Sequence, residues 1–161
     1  MEELDGIILL LGKVRFKGKE IGLISEQGVQ KGGTAPEYLN VTAAQTRTVV
    51  KRVLRRAGTL EWTFRLIELK AENLVDVLGG TVDSGRPGKW NAPPVPVIQE
   101  GEFEIEAVTG QVITATKAQL TGDTAGTIGS DDPYGVDCTV TVNYDGKTSP
   151  FSIDNTALAE G

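Results

Sequence analysis

Leu60-Glu61-Trp62-Thr63-Phe64-Arg65-Leu66 is the stretch on which the fold turns. Apolar and polar residues alternate through it without a break, which is the period of a strand with one face in a core and one in water. Leu60, Trp62, Phe64 and Leu66 point one way, and Glu61, Thr63 and Arg65 point the other. The two aromatic rings are read as core fillers rather than as a ligand platform. Directly downstream the period changes. Ala71, Leu74, Val75 and Leu78 recur at helical spacing, Glu72 sits where the helix dipole favours an acid, and Gly79 stands where a glycine ends a helix. This predicts one short helix, Ala71–Leu78. No other segment holds helical spacing over two turns.

Upstream, residues 7–16 read as a strand and residues 20–24 as a second, short one that residues 28–31 extend. Gly32, Gly33 and Ala35-Pro36 mark a turn. Residues 38–43 are extended, with Tyr38, Asn40 and Thr42 on one side and Leu39, Val41 and Ala43 on the other. Residues 48–55 are β-branched and basic, as suits a strand with long cations on a wet face. Downstream, residues 79–99 form a long connection rich in glycine and proline. Trp90 in its middle either folds back on the core or docks on a neighbouring molecule, and the second reading is favoured because loops of this length are commonly functional. Residues 102–108, 111–120, 136–144 and 147–153 read as strands. Gly110 and Asp145-Gly146 fall where hairpin turns need a positive φ. Cys138 falls on the inward side of its strand, and residues 122–135 read as a second long loop. The expected fold is mainly β: a small β-barrel or sandwich of about seven to eight strands with one short flanking helix. It forms a single domain over residues 1–161, with tails at 1–5 and 154–161.

The composition excludes several chemistries. Among 161 residues there is no histidine and one cysteine, so histidine-dependent catalysis, an imidazole pH switch and an intrachain disulfide are all ruled out. The net charge is −6, a poor balance for holding nucleic-acid phosphates. Its distribution is uneven: residues 1–46 carry a net −1, residues 47–72 a net +4 and residues 73–161 a net −9. Such blocks either pair within one chain or let one surface meet the opposite surface of the next copy. The apolar run at residues 7–11 is too short to cross a bilayer. It follows Glu2, Glu3 and Asp5, the reverse of a secretory leader, so the expectation is a protein made in the cytoplasm.

Candidate chemical motifs fail on spacing. Gly146-Lys147-Thr148 has Thr141 where a phosphate-binding loop needs its first glycine, and reads as a hairpin turn. Asp123, Asp131, Asp132 and Asp137 do not follow the EF-hand pattern and read as a solvated acidic loop. Glu100, Glu102, Glu104 and Glu106 are carboxylates in abundance, but they lie at two-residue spacing on one face of one strand. Glycosidase carboxylates face each other across a cleft. No catalytic, cofactor or metal residues are assigned. Asn40-Val41-Thr42 matches a glycosylation sequon that has no secretory context here.

One ordered set of features remains. Gly18-Lys19-Glu20-Ile21-Gly22 opens an early strand; Val41 leads to Gln45 and the basic segment Val49-Val50-Lys51-Arg52; the strand from Leu60 runs on to Glu68-Leu69, then into Asn73-Leu74-Val75-Asp76-Val77-Leu78-Gly79-Gly80. This order resembles the tail tube proteins of long-tailed bacteriophages, with relatives in contractile injection and type VI secretion tubes. The likeness spans roughly residues 13–153 and is clearest over 18–80. It implies a structural virion protein whose copies close into hexameric rings by extending one another's sheets. The rings stack into a tail tube for genome delivery, with no catalysis and no cofactor. The implied partners are other copies and other tail proteins such as the tape measure and tail terminator, with DNA passing through unbound and no membrane. Within that picture Lys51, Arg52, Arg55, Arg56 and Trp90 are candidate inter-subunit residues. Glu102, Glu104 and Glu106 either line the channel, where an acidic wall lets DNA slide, or pair with Arg52, Arg55 and Arg56. Two other classes stay open: a carbohydrate- or surface-binding β-sandwich with Trp90 as its platform, and a hydrolase using two of the glutamates.

Overall fold

The alternation at 60–66 appears directly in the structure, a computed structural model that describes residues 7–129, 133–144 and 146–155. Strand β6 (Leu60–Leu66) buries Leu60, Trp62, Phe64 and Leu66 and leaves the residues between them half-exposed. It belongs to a sheet built from β1 (Leu11–Phe16), β2 (Lys19–Glu20), β3 (Gln30–Gly32), β9 (Gln99–Ala107), β10 (Val112–Ala125), β11 (Gly135–Val142) and β12 (Phe151–Asp154). The order across this antiparallel sheet is β2-β1-β9-β10-β11-β6-β3, with β12 also on β10. Two small hairpins stand outside it, β4 (Glu37–Thr42) with β5 (Val49–Arg56), and β7 (Thr81–Val82) with β8 (Trp90–Asn91). The protein is mainly β with one short helix, as expected. The strands among the described residues exceed seven or eight because β2, β3, β7 and β8 are only two or three residues long.

The sheet does not close into a barrel; it curls so that β9 and β6 face each other across the core as in a sandwich. The Phe103 ring on β9 lies 5.7 Å from Trp62 and 5.9 Å from Phe64 on β6. Those strands are three places apart in the sheet, and a flat sheet would separate them by about 14 Å at ~4.8 Å per strand. Phe151 from β12 meets the edge of Trp62 at 6.2 Å. Val14, Phe16, Leu120, Val136, Cys138 and Val140 fill the rest of the core.

Helix α1 (Ala71–Leu78) has the predicted limits and buries Ala71, Asn73, Leu74 and Val77. Gly79 ends it at φ +80, its N–H bonded to Val75 O at 3.0 Å. The helix packs over β10, with Leu78 against Gly122.

Several boundaries differ from expectation for identifiable reasons. The strand expected over 7–16 begins at Leu11, because residues 7–10 cross the β9–β10 turn instead of pairing along β9. The short strand expected at 20–24 is reduced to β2 and an isolated bridge from Ile24 to Leu66. The long connection at 79–99 contains the β7–β8 hairpin. The loop expected at 122–135 is shorter, because Gly122, Asp123, Thr124 and Ala125 continue β10 opposite Cys138, Asp137, Val136 and Gly135. β11 and β12 do not pair with each other, as the hairpin expected at residues 143–146 would need: both pair with β10, at Ala118–Ala125 and Val112–Ala115 respectively. They are one interrupted line along the same edge, and the chain between them is an excursion that starts with Asn143 N–H donating to Lys117 O at 3.0 Å. Asp145, and the tails expected at 1–5 and beyond Asn155, lie outside the described residues, whereas Asp154 belongs to β12.

Candidate functional site

Because Phe103, Ile105 and Ala107 turn inward from β9, Glu102, Glu104 and Glu106 stand together on the outward side of the sheet. The neighbouring strand β1 places Arg15 opposite Glu104. Its guanidinium donates to Glu104 Oε2 at 3.3 Å and to Glu106 Oε2 at 2.9 Å. The in-chain partner of these glutamates is therefore Arg15, which the sequence reading passed over, and not Arg52, Arg55 or Arg56. Glu102 lies opposite the irregularity in β10 and beside Glu104. A hydrogen bond shared with Glu104, partial desolvation and the Glu104 charge hold its carboxyl above the usual carboxylate range. Glu100 accepts from Gln119 Nε2 at 3.0 Å. The strand register sets Glu20, Glu61, Asp123 and Asp137 on this same outward side, against Lys13, Arg15 and Arg65. Polar threonines Thr63, Thr121, Thr139 and Thr141 fill the space between them. Because β9 and β6 face each other across the core, these groups fall on opposite outer faces: the β9 glutamates with Glu20, Lys13 and Arg15 on an acidic one, and Glu61, Arg65 and Asp137 on the other.

Lys51, Arg52, Arg55 and Arg56 all lie on β5 of the β4–β5 hairpin, and every residue of both strands is exposed. The hairpin is an arm that leaves the body through two glycines, Gly33 and Gly58, where Thr34 and Thr59 exchange backbone hydrogen bonds at 3.1 and 3.0 Å. The register puts Leu39, Val41 and Val53 with Lys51 on one face, and Tyr38, Leu54 and Val49 with Arg52 on the other. Arg52 covers the Tyr38 ring at 4.6 Å, and Arg56 approaches Glu37 at 3.8 Å. Both faces are thus apolar in the middle and cationic around it. A free two-stranded hairpin is marginal in water, and both strands of this one stay exposed among the described residues.

Within its own chain, Trp90 folds back toward the core, the first of its two expected readings. Its ring packs against the core and its Nε1–H donates to Gly79 O at 2.8 Å. That leaves it poorly placed as a flat platform for a sugar. Of the acidic-loop residues, Asp123 and Asp137 face each other across β10 and β11, and Arg65 donates to Asp137 Oδ1 at 2.7 Å. Asp131 and Asp132 lie outside the described residues. Burial pushes the Cys138 thiol up to about 12, so it is neither a nucleophile nor a ready ligand at neutral pH. An open, polar hollow of about 430 Å³ lies between Ser25, Gln30, Thr63, Arg65 and Asp137. The apolar run at the start of the described chain is exposed at Ile7, Ile8, Leu9 and Leu10, as are Leu23, Val95, Ile98 and Ile128 elsewhere.

No family model matches this chain, and no curated protein matches it either.

Proposed function

We propose that this chain is a structural tube protein whose copies close into rings and stack into a phage-tail-like conduit for DNA. The observation that carries this reading is the β4–β5 arm, a strand pair with two apolar, cationic faces that stay exposed among the described residues. Such an arm gives a subunit the reach to contact the next ring. Sheet edges at either end of the curled sheet supply the lateral contacts, since a heterologous contact repeated by rotation closes a ring. The acidic outer face of β9 and β1 is the natural bore, because cations there would hold phosphate by counterion release and an acidic wall does not. Glu102, Glu104 and Glu106 then face the passing polymer, with Arg15 fixing two of them in place.

The direct experiment is negative-stain microscopy of the purified chain across a concentration series. Annular particles of uniform diameter and rods built from them are the expected result. A dispersed monomer at every concentration, with or without glycan binding, overturns the proposal.

A further inference from the structure

Residues 7–10 cross the β9–β10 turn of their own chain as a strap held by bonds to its main chain. Gln111 is fully buried, and its Nε2 donates to Ile7 O at 3.0 Å. Thr109 Oγ1 accepts from Leu9 N–H at 3.2 Å and donates to Gln111 Oε1, while Val108 N–H donates to Leu10 O at 2.8 Å. The turn therefore grips backbone, and the side chains of Ile7, Ile8, Leu9 and Leu10 all stay exposed. Lifting the strap gives up little side-chain burial, and residues 7–10 of any copy can make the same bonds on the turn of any other. The backbone also favours lifting it. Leu10, which joins the strap to β1, sits at φ +61, a left-handed conformation that bulky side chains rarely adopt. That conformation is needed to lay the strap over its own turn, and it relaxes once the strap extends away from β1.

We propose that the β9–β10 turn is an exchange site, where residues 7–10 of a second copy of this chain replace the strap of the first. Exchange of an identical element is a low-cost route to association, because the bonds lost in one chain are regained between chains. Gln111 keeps an acceptor for its amide in both arrangements, so no buried polar group is left unpaired. The side chains of Ile7 and Leu9, with Val108 beside them at 64% exposed, come to lie at the junction of two copies, where their apolar area leaves water. Donor strap and acceptor turn are unlike parts of the chain. One exchange leaves a free strap at one end and a free turn at the other, so the contact passes on from copy to copy. The exchange stands without the tube reading; in a tube it links each copy to the next.

The test is a double variant, Leu9→Cys with Thr109→Cys, oxidised when dilute and at concentrations where the wild type associates. Thr109 Oγ1 lies within 3.3 Å of both main-chain polar atoms of Leu9, so the two sulfurs fall side by side wherever strap meets turn. The native Cys138 is buried and stays out of the reaction. The expected result is an intrachain bond in the dilute protein and a ladder of linked chains in the concentrated one. Leu10→Gly, which accepts a positive φ freely, should lower the interchain share about tenfold, and the β-branched Leu10→Val should raise it. Rods in which only intrachain bonds form overturn the exchange and leave the tube reading standing. A ladder without rings or rods upholds the exchange and overturns the tube reading. An interchain share indifferent to residue 10, or a chain that forms neither kind of bond, overturns the exchange; a chain that neither associates nor forms a ladder overturns both.

Discussion

Glu102 and Glu104 stand two residues apart on one strand, and only Glu104 of the two receives Arg15. The carboxyl of Glu102 is raised because its ionised form faces Glu104 from a partly desolvated position. A raised carboxyl favours the protonated fold, so its contribution to stability is present below its ordinary range and lost as pH rises through the raised value. Glu102→Gln should therefore leave melting unchanged at pH 3 and raise it modestly at pH 7, read by thermal denaturation at both. A drop at pH 7 would show that Glu102 has a cationic partner. At Gly33 the backbone has φ +91, and a Cβ there would collide with Thr59 O. Gly33→Ala should cost about 1–3 kcal/mol in strain at the root of the arm. Amide exchange at Thr34 and Thr59 should accelerate, with the amides of β6 unaffected. Gly33 is legible as a break in the sequence, but Arg15 as the partner of the glutamates is not. That pairing depends on a β1–β9 register joining residues 89 apart, and nothing local in the sequence encodes it.

Strand β6 and the arm make opposite contributions although both are β. Trp62 touches Phe103 and Phe151 in the core, so Trp62→Ala should cost about 3–5 kcal/mol, read from denaturant unfolding. Replacing residues 35–57 by a short glycine-serine link should leave the melting temperature within a few degrees of wild type, since every residue of the arm's two strands is exposed among the described residues. The same deletion should abolish rods in microscopy; rods that persist would remove the main support for the proposed function. The legible elements are those that bury one face. β6, β9, β11 and α1 have periods that the core enforces, and the structure places them at or near the expected limits. β7 and β8 are too short to carry a period. The end of β10 has the composition of a turn, Thr121-Gly122-Asp123-Thr124, and is a strand only because β11 lies beside it. The basic strand at 48–55 was legible as a strand, while its standing clear of the body was not. A sequence shows that a side chain is apolar without showing whether its own chain covers it.

Opposite charges on one molecule make association depend on salt, and the two charged regions predict different dependences. If the cationic arm meets an acidic neighbour, rods should shorten as ionic strength rises, because exposed pairs beyond about 8–10 Å are screened near physiological salt. The acidic wall behaves differently if it faces the bore, because there it touches no protein. Glu100→Lys with Glu102→Lys should then leave rod length unaltered, since neither residue holds Arg15. What changes is the wall. A ring repeats each new cation once per copy, and every phosphate it neutralises steepens the salt dependence of DNA binding by about 0.9 in the log–log slope. Wild-type rods should therefore not retain short duplex DNA in co-sedimentation, whereas the doubly reversed rods should retain it at low salt and release it as salt rises. Loss of rods in that variant would instead place the glutamate side against a neighbouring copy, and the bore would have to be lined by another face of the sheet.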